Sequence, residues 1–320
     1  MHIRPFDWRD LPTLLRYRHR GLFFDNAAIL TRGEMMVPAG ALLSYFAPAT
    51  GIFTFLCADP GNCAEPMLGQ VNHSQGAQLA HLSFLAPESA LDSGELNAML
   101  DYMIQHLGHR GALHLLAEVD ERTIAFEALR KAGFALYVRQ RIWQFAGTYA
   151  LDSNGSRWRA GRSRDVIAVR SLYNTLVPGL AQQVEPVPSN HLHGLVYEQD
   201  GEILAYAEVK YGARGIWIQP FIHPDVDKVM KRVVDLLARL ANRRSRPIYI
   251  CVRSYQSWLE HAFEELEAAA GPVQAVMVKH LAIAKRIAPS FAIPALEGGQ
   301  GEARAPFVQS EMNSGYHSKH

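Results

Sequence analysis

"TIAFEALRKAGFALYVRQRIWQF", residues 123–145, reads as a helix that stops on a glycine and passes at once into a strand. Apolar residues fall at Ile124, Phe126, Ala128 and Leu129, and Lys131 and Gly133 end the run. A glycine placed just past a helix accepts the left-handed backbone that closes the last turn, so Phe134 is expected to begin the returning strand. Beyond it "ALYVRQRIWQF" (135–145) alternates, with Arg139 and Arg141 between apolar neighbours, as a strand does.

Working outward, "GALHLLAEV" (111–119) is a buried strand feeding that helix. Before it, a helix from Glu95 to about His106 carries the stripe Leu96, Met99, Leu100, Met103, Ile104 and Leu107 at helical spacing. "GIFTFLCA" (51–58), "MLGQVN" (67–72) and "AQLAHLSFLAP" (77–87) are strand-like runs. The chain starts with a short strand, "HIRPF", and a helix from about Arg9 to Arg20 that Asp7 can cap, with Asp10 in its first turn. "TYALDSNGSRWR" (148–159) is a polar, glycine-bearing break. After it the order recurs. A helix around 164–177 precedes "GLVYE" and "ILAYAEVKYG", joined by the hairpin turn "QDGE". The strand "GIWIQPFIHP" (215–224), a helix over 226–241, the strand "PIYICV" (247–252), a helix over 257–271 and the strand "VQAVMVKHLAI" (273–283) follow.

"LSFLAPESALDSGELNAML" followed by "LHLLAEVDERTIAFEALRKAGF", and "IWIQPFIHPDVDKVMKRVVDLL" followed by "IYICVRSYQSWLEHAFEELEAAAG", resemble the GNAT acyltransferase superfamily, twice over. The resemblance spans roughly residues 1–285. It implies an α+β fold with mixed sheets: two tandem GNAT-like folds, at 1–150 and 151–288. The tail over 289–320, rich in Gly, Pro, Ser, Glu and Gln with few apolar residues to bury, is expected to be disordered. It implies an acyl-CoA-dependent N-acyltransferase, with acetyl-CoA or another acyl-CoA as cosubstrate and a small-molecule or protein amine as acceptor. In that family the pantetheine arm lies between two splayed parallel strands. This places Phe84, Leu85, Ser93 and Gly94 in the first half, and Phe221 and Ile222 in the second, as cofactor contacts. Tyr255 is the candidate proton donor to the leaving thiolate, and Glu118 and Glu208 are candidate bases.

The chemistry departs from the family pattern. The phosphate loop needs small residues so that backbone N–H groups at a helix start can reach a diphosphate. Here "LDSGEL" keeps Gly94 but has Leu91 and Leu96 at the other key positions, and "DVDKVM" has no glycine. Asp92 with Glu95, and Asp225, suit helix capping. The tyrosine that the family often carries four residues before the helix-ending glycine is Leu129 in the first half. A catalytically inactive GNAT-like ligand- or protein-binding module therefore stands beside the enzyme.

Composition narrows the rest. A formal net charge of +1 argues against nucleic acid as partner. No uncharged apolar run is long enough to span a membrane, and "MHIRPFDWRD" has charges where a secretory signal needs an apolar core. With three cysteines lacking metal-site spacing, the expectation is a cytoplasmic protein without a metal.

Overall fold

The computed structural model describes residues 2–58, 66–146, 157–185, 191–240 and 246–281. In the first half these form β1 (His2–Pro5), α1 (Leu11–Tyr17), β2 (Leu22–Phe23), α2 (Asn26–Arg32), α3 (Met36–Phe46), β3 (Ile52–Ala58), β4 (Met67–Asn72) and β5 (Leu79–Ala86). There follow α4 (Gly94–His109), β6 (His114–Asp120), α5 (Ile124–Lys131) and β7 (Ala135–Phe145). The second half has β8 (Trp158–Ala160), α6 (Val166–Leu176), α7 (Gly179–Val184), β9 (Gly194–Gln199), β10 (Glu202–Tyr211) and β11 (Ile216–Ile222). It closes with α8 (Val229–Arg239), β12 (Ile248–Arg253), α9 (Leu259–Glu265) and β13 (Ala269–His280).

The helix ending in the opening stretch forms as its residues dictate. Gly133 has φ +86°, its N–H donates to the Arg130 carbonyl, and the Phe134 N–H reaches back to Leu129, both at 3.0 Å. Those two bonds make a Schellman motif, satisfying carbonyls that the helix end leaves bare. The second half repeats the motif without a glycine. Glu267, at φ +56°, donates to Glu264, and Ala268 donates to Phe263. The helix expected to reach residue 271 therefore stops at Glu265, and "AAG" (269–271) opens β13. At the N-terminus Asp7 caps as expected, accepting the Arg9 N–H, and Asp10 accepts the Asp7 N–H in return. Asp92 and Asp225 do not cap: α4 starts behind Ser93 and α8 behind Lys228, neither with a side-chain cap.

The strands join in one sheet, ordered β1-β3-β4-β5-β6-β13-β7-β12-β11-β10-β9-β8, with β2 paired to β5. Among the described residues only β5–β6 and β11–β12 are parallel pairs. The two halves exchange strands at the centre. β13 lies between β6 and β7, running antiparallel to both, while β7 pairs on its other side with β12. The described residues belong to one compact unit. The expected boundary at 148–159 falls outside the described residues up to Ser156, and the tail at 289–320 does so entirely.

Apolar stripes decide the layers. Met99, Leu100, Met103 and Leu107 of α4 are fully buried with Leu115 and Ala117 of β6 and Leu129 of α5. Each such leucine or methionine contributes about 1.5–3 kcal/mol by leaving water. Leu14, Val37 and Ala41 of α1 and α3 cover the opposite face with Phe84. In the second half α8 and α9 pack with Trp143 and Trp158, and α6 and α7 with Tyr206 and Phe221. The C-terminal end of α2 docks on the β10–β11 turn, where the Arg214 N–H donates to Thr31 O at 2.9 Å. A Cβ on Gly212 would lie 2.2 Å from that Thr31 oxygen, so only glycine permits the approach. Among the described residues no helix is long and apolar enough to cross a membrane, and no group of His, Cys, Asp or Glu could hold a metal ion.

Candidate functional site

Each parallel pair diverges after three paired positions, leaving the opening that the family resemblance assigns to a cosubstrate arm. In the first half the pairing stops at His81 with Leu116. Residues 20–24 then fill the opening. β2 runs antiparallel to β5, matching Leu22 with Leu85 and Phe23 with Phe84. The Phe24 N–H donates to Ser83 O at 3.2 Å, the Glu118 N–H donates to Phe24 O at 2.9 Å, and the Glu88 N–H donates to Arg20 O. The opposite edge of β5 is paired to β4. The backbone of Phe84 and Leu85 therefore has neighbours on both edges.

In the second half the pairing stops at Ile218 with Ile250. Here one side chain fills the gap. Gln256 is 1% exposed; its oxygen accepts the Ile222 N–H at 2.9 Å, and its amide donates to Pro220 O at 2.8 Å. The Phe221 backbone is matched to Tyr206 of β10, on the far edge. A pantetheine arm would need the main-chain groups that residues 20–24 and Gln256 already hold. At the phosphate-loop position, Ser93 Oγ donates to Ala90 O at 2.7 Å, and a Cβ on Gly94 would meet nothing. Gly94 is thus not held to glycine by close packing. The residues present do not fit an acyl-CoA arm in either opening.

The candidate acids fall elsewhere. Glu118 and Glu208, from different halves, both line one groove of about 510 Å³ at the centre of the molecule. Glu118 is buried; its Oε2 accepts from the Asn26 N–H at 2.9 Å and the Asn26 amide at 2.7 Å. Asp25 caps α2 by accepting the Ala28 N–H, which fixes Asn26 at the helix start. From Asn26 a chain of hydrogen bonds crosses the exchanged strands. Asn26 and Gln140 each donate to Gln274 Oε1 at 3.0 Å, and Arg253 Nη1 donates to Gln140 Oε1 at 2.7 Å. Arg253 Nη2 then pairs with Glu185 at 2.7 Å, where Tyr137 also donates. Burial opposes the Arg253 charge, but Glu185 and its neighbours outweigh it and hold the guanidinium protonated. The Cys251 thiol, beside Gln140, is pushed up to about 12 by burial.

Tyr255 is not in the groove lining. Its hydroxyl is buried without a hydrogen-bond partner, and burial, then Glu185, raises its pKa. It belongs to the cluster with Tyr173 and Phe221. The second-half residue four before the αL position is Phe263, buried against Trp143. Neither half thus offers a tyrosine at the position where the family often has one. Asn26, Gln140, Glu185, Arg253, Gln256 and Gln274 were not singled out from sequence. The one available signal was a glutamine or arginine inside an otherwise apolar strand, as in "ALYVRQRIWQF".

No protein-family model matches the sequence, and no curated protein does. Solved structures do resemble the fold. A GCN5-related N-acetyltransferase from Sphaerobacter thermophilus superposes with a TM-score of 0.53 at 11% identity, covering 88% of this chain and 95% of that one. A tandem GNAT protein from the clavulanic acid biosynthesis pathway gives 0.46 at 12% identity, over 88% and 98%. An acetyltransferase of the GNAT family from Colwellia psychrerythraea gives 0.45 at 13%, over 88% and 100%. At such identities likeness establishes the fold and not the activity: this chain has a GNAT fold.

Proposed function

We propose that this chain is a catalytically inactive GNAT-fold module that binds a small molecule in its central groove. One observation carries the reading. The openings between parallel strands, where an acyl-CoA arm would lie, are filled by residues 20–24 and by Gln256. Displacing Gln256 would leave the Ile222 N–H and the Pro220 carbonyl to be satisfied anew, and an unpaired buried group costs about 1–3 kcal/mol. Displacing residues 20–24 would break a whole strand edge. Glu118, Glu208 and Arg253 are then ligand contacts or supports for them, not a base and its partners.

Titration calorimetry on the full chain with free CoA, acetyl-CoA and a long-chain acyl-CoA tests this. None is expected to give saturable heat or to raise the melting temperature. Saturable binding of any of the three, with acyl transfer to an amine, would restore the acyltransferase.

A further inference from the structure

We propose that the central groove takes a free α-amino acid with an apolar side chain, bound as its zwitterion; this rests on the groove being a ligand site. The argument begins with what lacks a partner. The Gln219 amide nitrogen and Arg253 Nε are sealed from solvent and have no acceptor. Both side chains line the groove, and the Arg253 side chain is 8% exposed. Buried donors without acceptors are rare in folded proteins, and a rotation of either side chain toward the groove would give its donor a ligand oxygen. The groove acids Glu118 and Glu185 already accept from Asn26 and Arg253. Glu208 is different: its contact with Lys210 is 3.7 Å, and its side chain is 36% exposed. Glu208 and Gln219 are directly opposed in the β10–β11 register. Facing side chains in such a pair lie close together, so an acceptor site and a donor site adjoin.

Charge then selects among ligands. Asp25, Glu118, Glu185 and Glu208 face the groove against Arg32, Lys210 and Arg253, which disfavours a bare anion. A bare cation would leave the Gln219 and Arg253 donors unpaired. A molecule with an ammonium beside a carboxylate meets both conditions. Trp217, Phe221, Tyr173, Leu79 and Leu116 line the rest, an apolar wall for its side chain.

Calorimetry on the full chain with L-phenylalanine, phenethylamine and 3-phenylpropionate, at up to millimolar concentration, tests the proposal. L-Phenylalanine is expected to bind saturably, and each analogue, lacking one charge, about tenfold more weakly or worse. Gln219→Leu removes a donor that bonds to nothing in the free protein, so its melting temperature should match or exceed the parent's. Its affinity for L-phenylalanine should fall about tenfold or more. Glu208→Gln, at a partly exposed site, should weaken L-phenylalanine while sparing 3-phenylpropionate, and serves if the first variant misfolds. Equal binding of L-phenylalanine and 3-phenylpropionate, unchanged affinity in a folded variant, or no binding of any probe would overturn the proposal. If CoA compounds also fail to bind, only this proposal falls; if they bind and react, the underlying reading falls with it.

Discussion

Gln256 stands in the second half as a side-chain substitute for a strand, accepting from Ile222 and donating to Pro220 across the gap that β12 leaves. Its amide is the right length to satisfy both groups, and it is almost wholly buried. Gln256→Leu keeps the volume roughly constant and orphans both main-chain partners. Each orphan costs about 1–3 kcal/mol, so equilibrium urea unfolding should show a loss of about 2–6 kcal/mol. A loss below about 0.5 kcal/mol, the range of ordinary surface changes, would mean that water serves Ile222 and Pro220 equally well.

The paired helix endings make a reciprocal prediction. Gly133 and Glu267 hold the same left-handed position, one with the residue suited to it and one without. A side chain in that conformation costs about 1–2 kcal/mol. Gly133→Ala should therefore destabilise the protein by about 1 kcal/mol. Glu267→Gly should stabilise it by a similar or smaller amount, because glycine also loses more freedom on folding. Glu267 is exposed, so little contact is lost. Thermal unfolding of the two variants beside the parent reads both signs.

This contrast also explains what was legible in the sequence. Gly133 announces its turn, and the α4 stripe announces its buried face, because both signals are local. Glu267 announces nothing, and the alanines after it read as helix until tertiary pairing draws them into β13. The helices α2 and α3 carry no such local signal, because Gly33 falls between them and Pro38 and Gly40 interrupt the helical pattern of α3. The groove depends on residues far apart in the chain, such as Asn26 and Gln274. No periodicity marks such a pair. Glu118 and Glu208 were visible as strand carboxylates, but their shared groove follows from the strand exchange, which sequence spacing does not encode.

Acid should weaken the fold before its carboxylates titrate. The His106 ring packs against Phe53 and Phe55, with Nε2 sealed and without a partner. Burial lowers its pKa, aided by the charges of Arg110, His109 and His73. His114 is lowered by burial and then by His280. A histidine depressed in the folded state takes up its proton first in the unfolded chain, near pH 6.5. Its stability contribution is complete above that pH and is lost as pH falls toward the folded pKa. The Asp165 carboxyl, held low by Arg159, adds a separate loss only below about pH 4. Melting temperature should thus decline between about pH 7 and 5, and His106→Leu should flatten that decline. An unchanged slope in the variant would remove His106 from the account.

The strand exchange makes the strongest demand on the fold. Among the described residues β13 supplies the only sheet contact that joins β6 to β7, and β7 in turn is the partner of β12. A fragment of residues 1–150 would leave the facing edges of β6 and β7 bare, and a fragment of residues 151–288 would leave β12 and β13 unbridged. Long exposed edges with apolar faces promote association instead of folding. Each fragment expressed alone should therefore give collapsed amide NMR spectra or aggregate, and co-expression should recover a dispersed, one-to-one complex. Dispersed spectra from either fragment alone would show that a half can close its own sheet, and that the exchange adds little to stability.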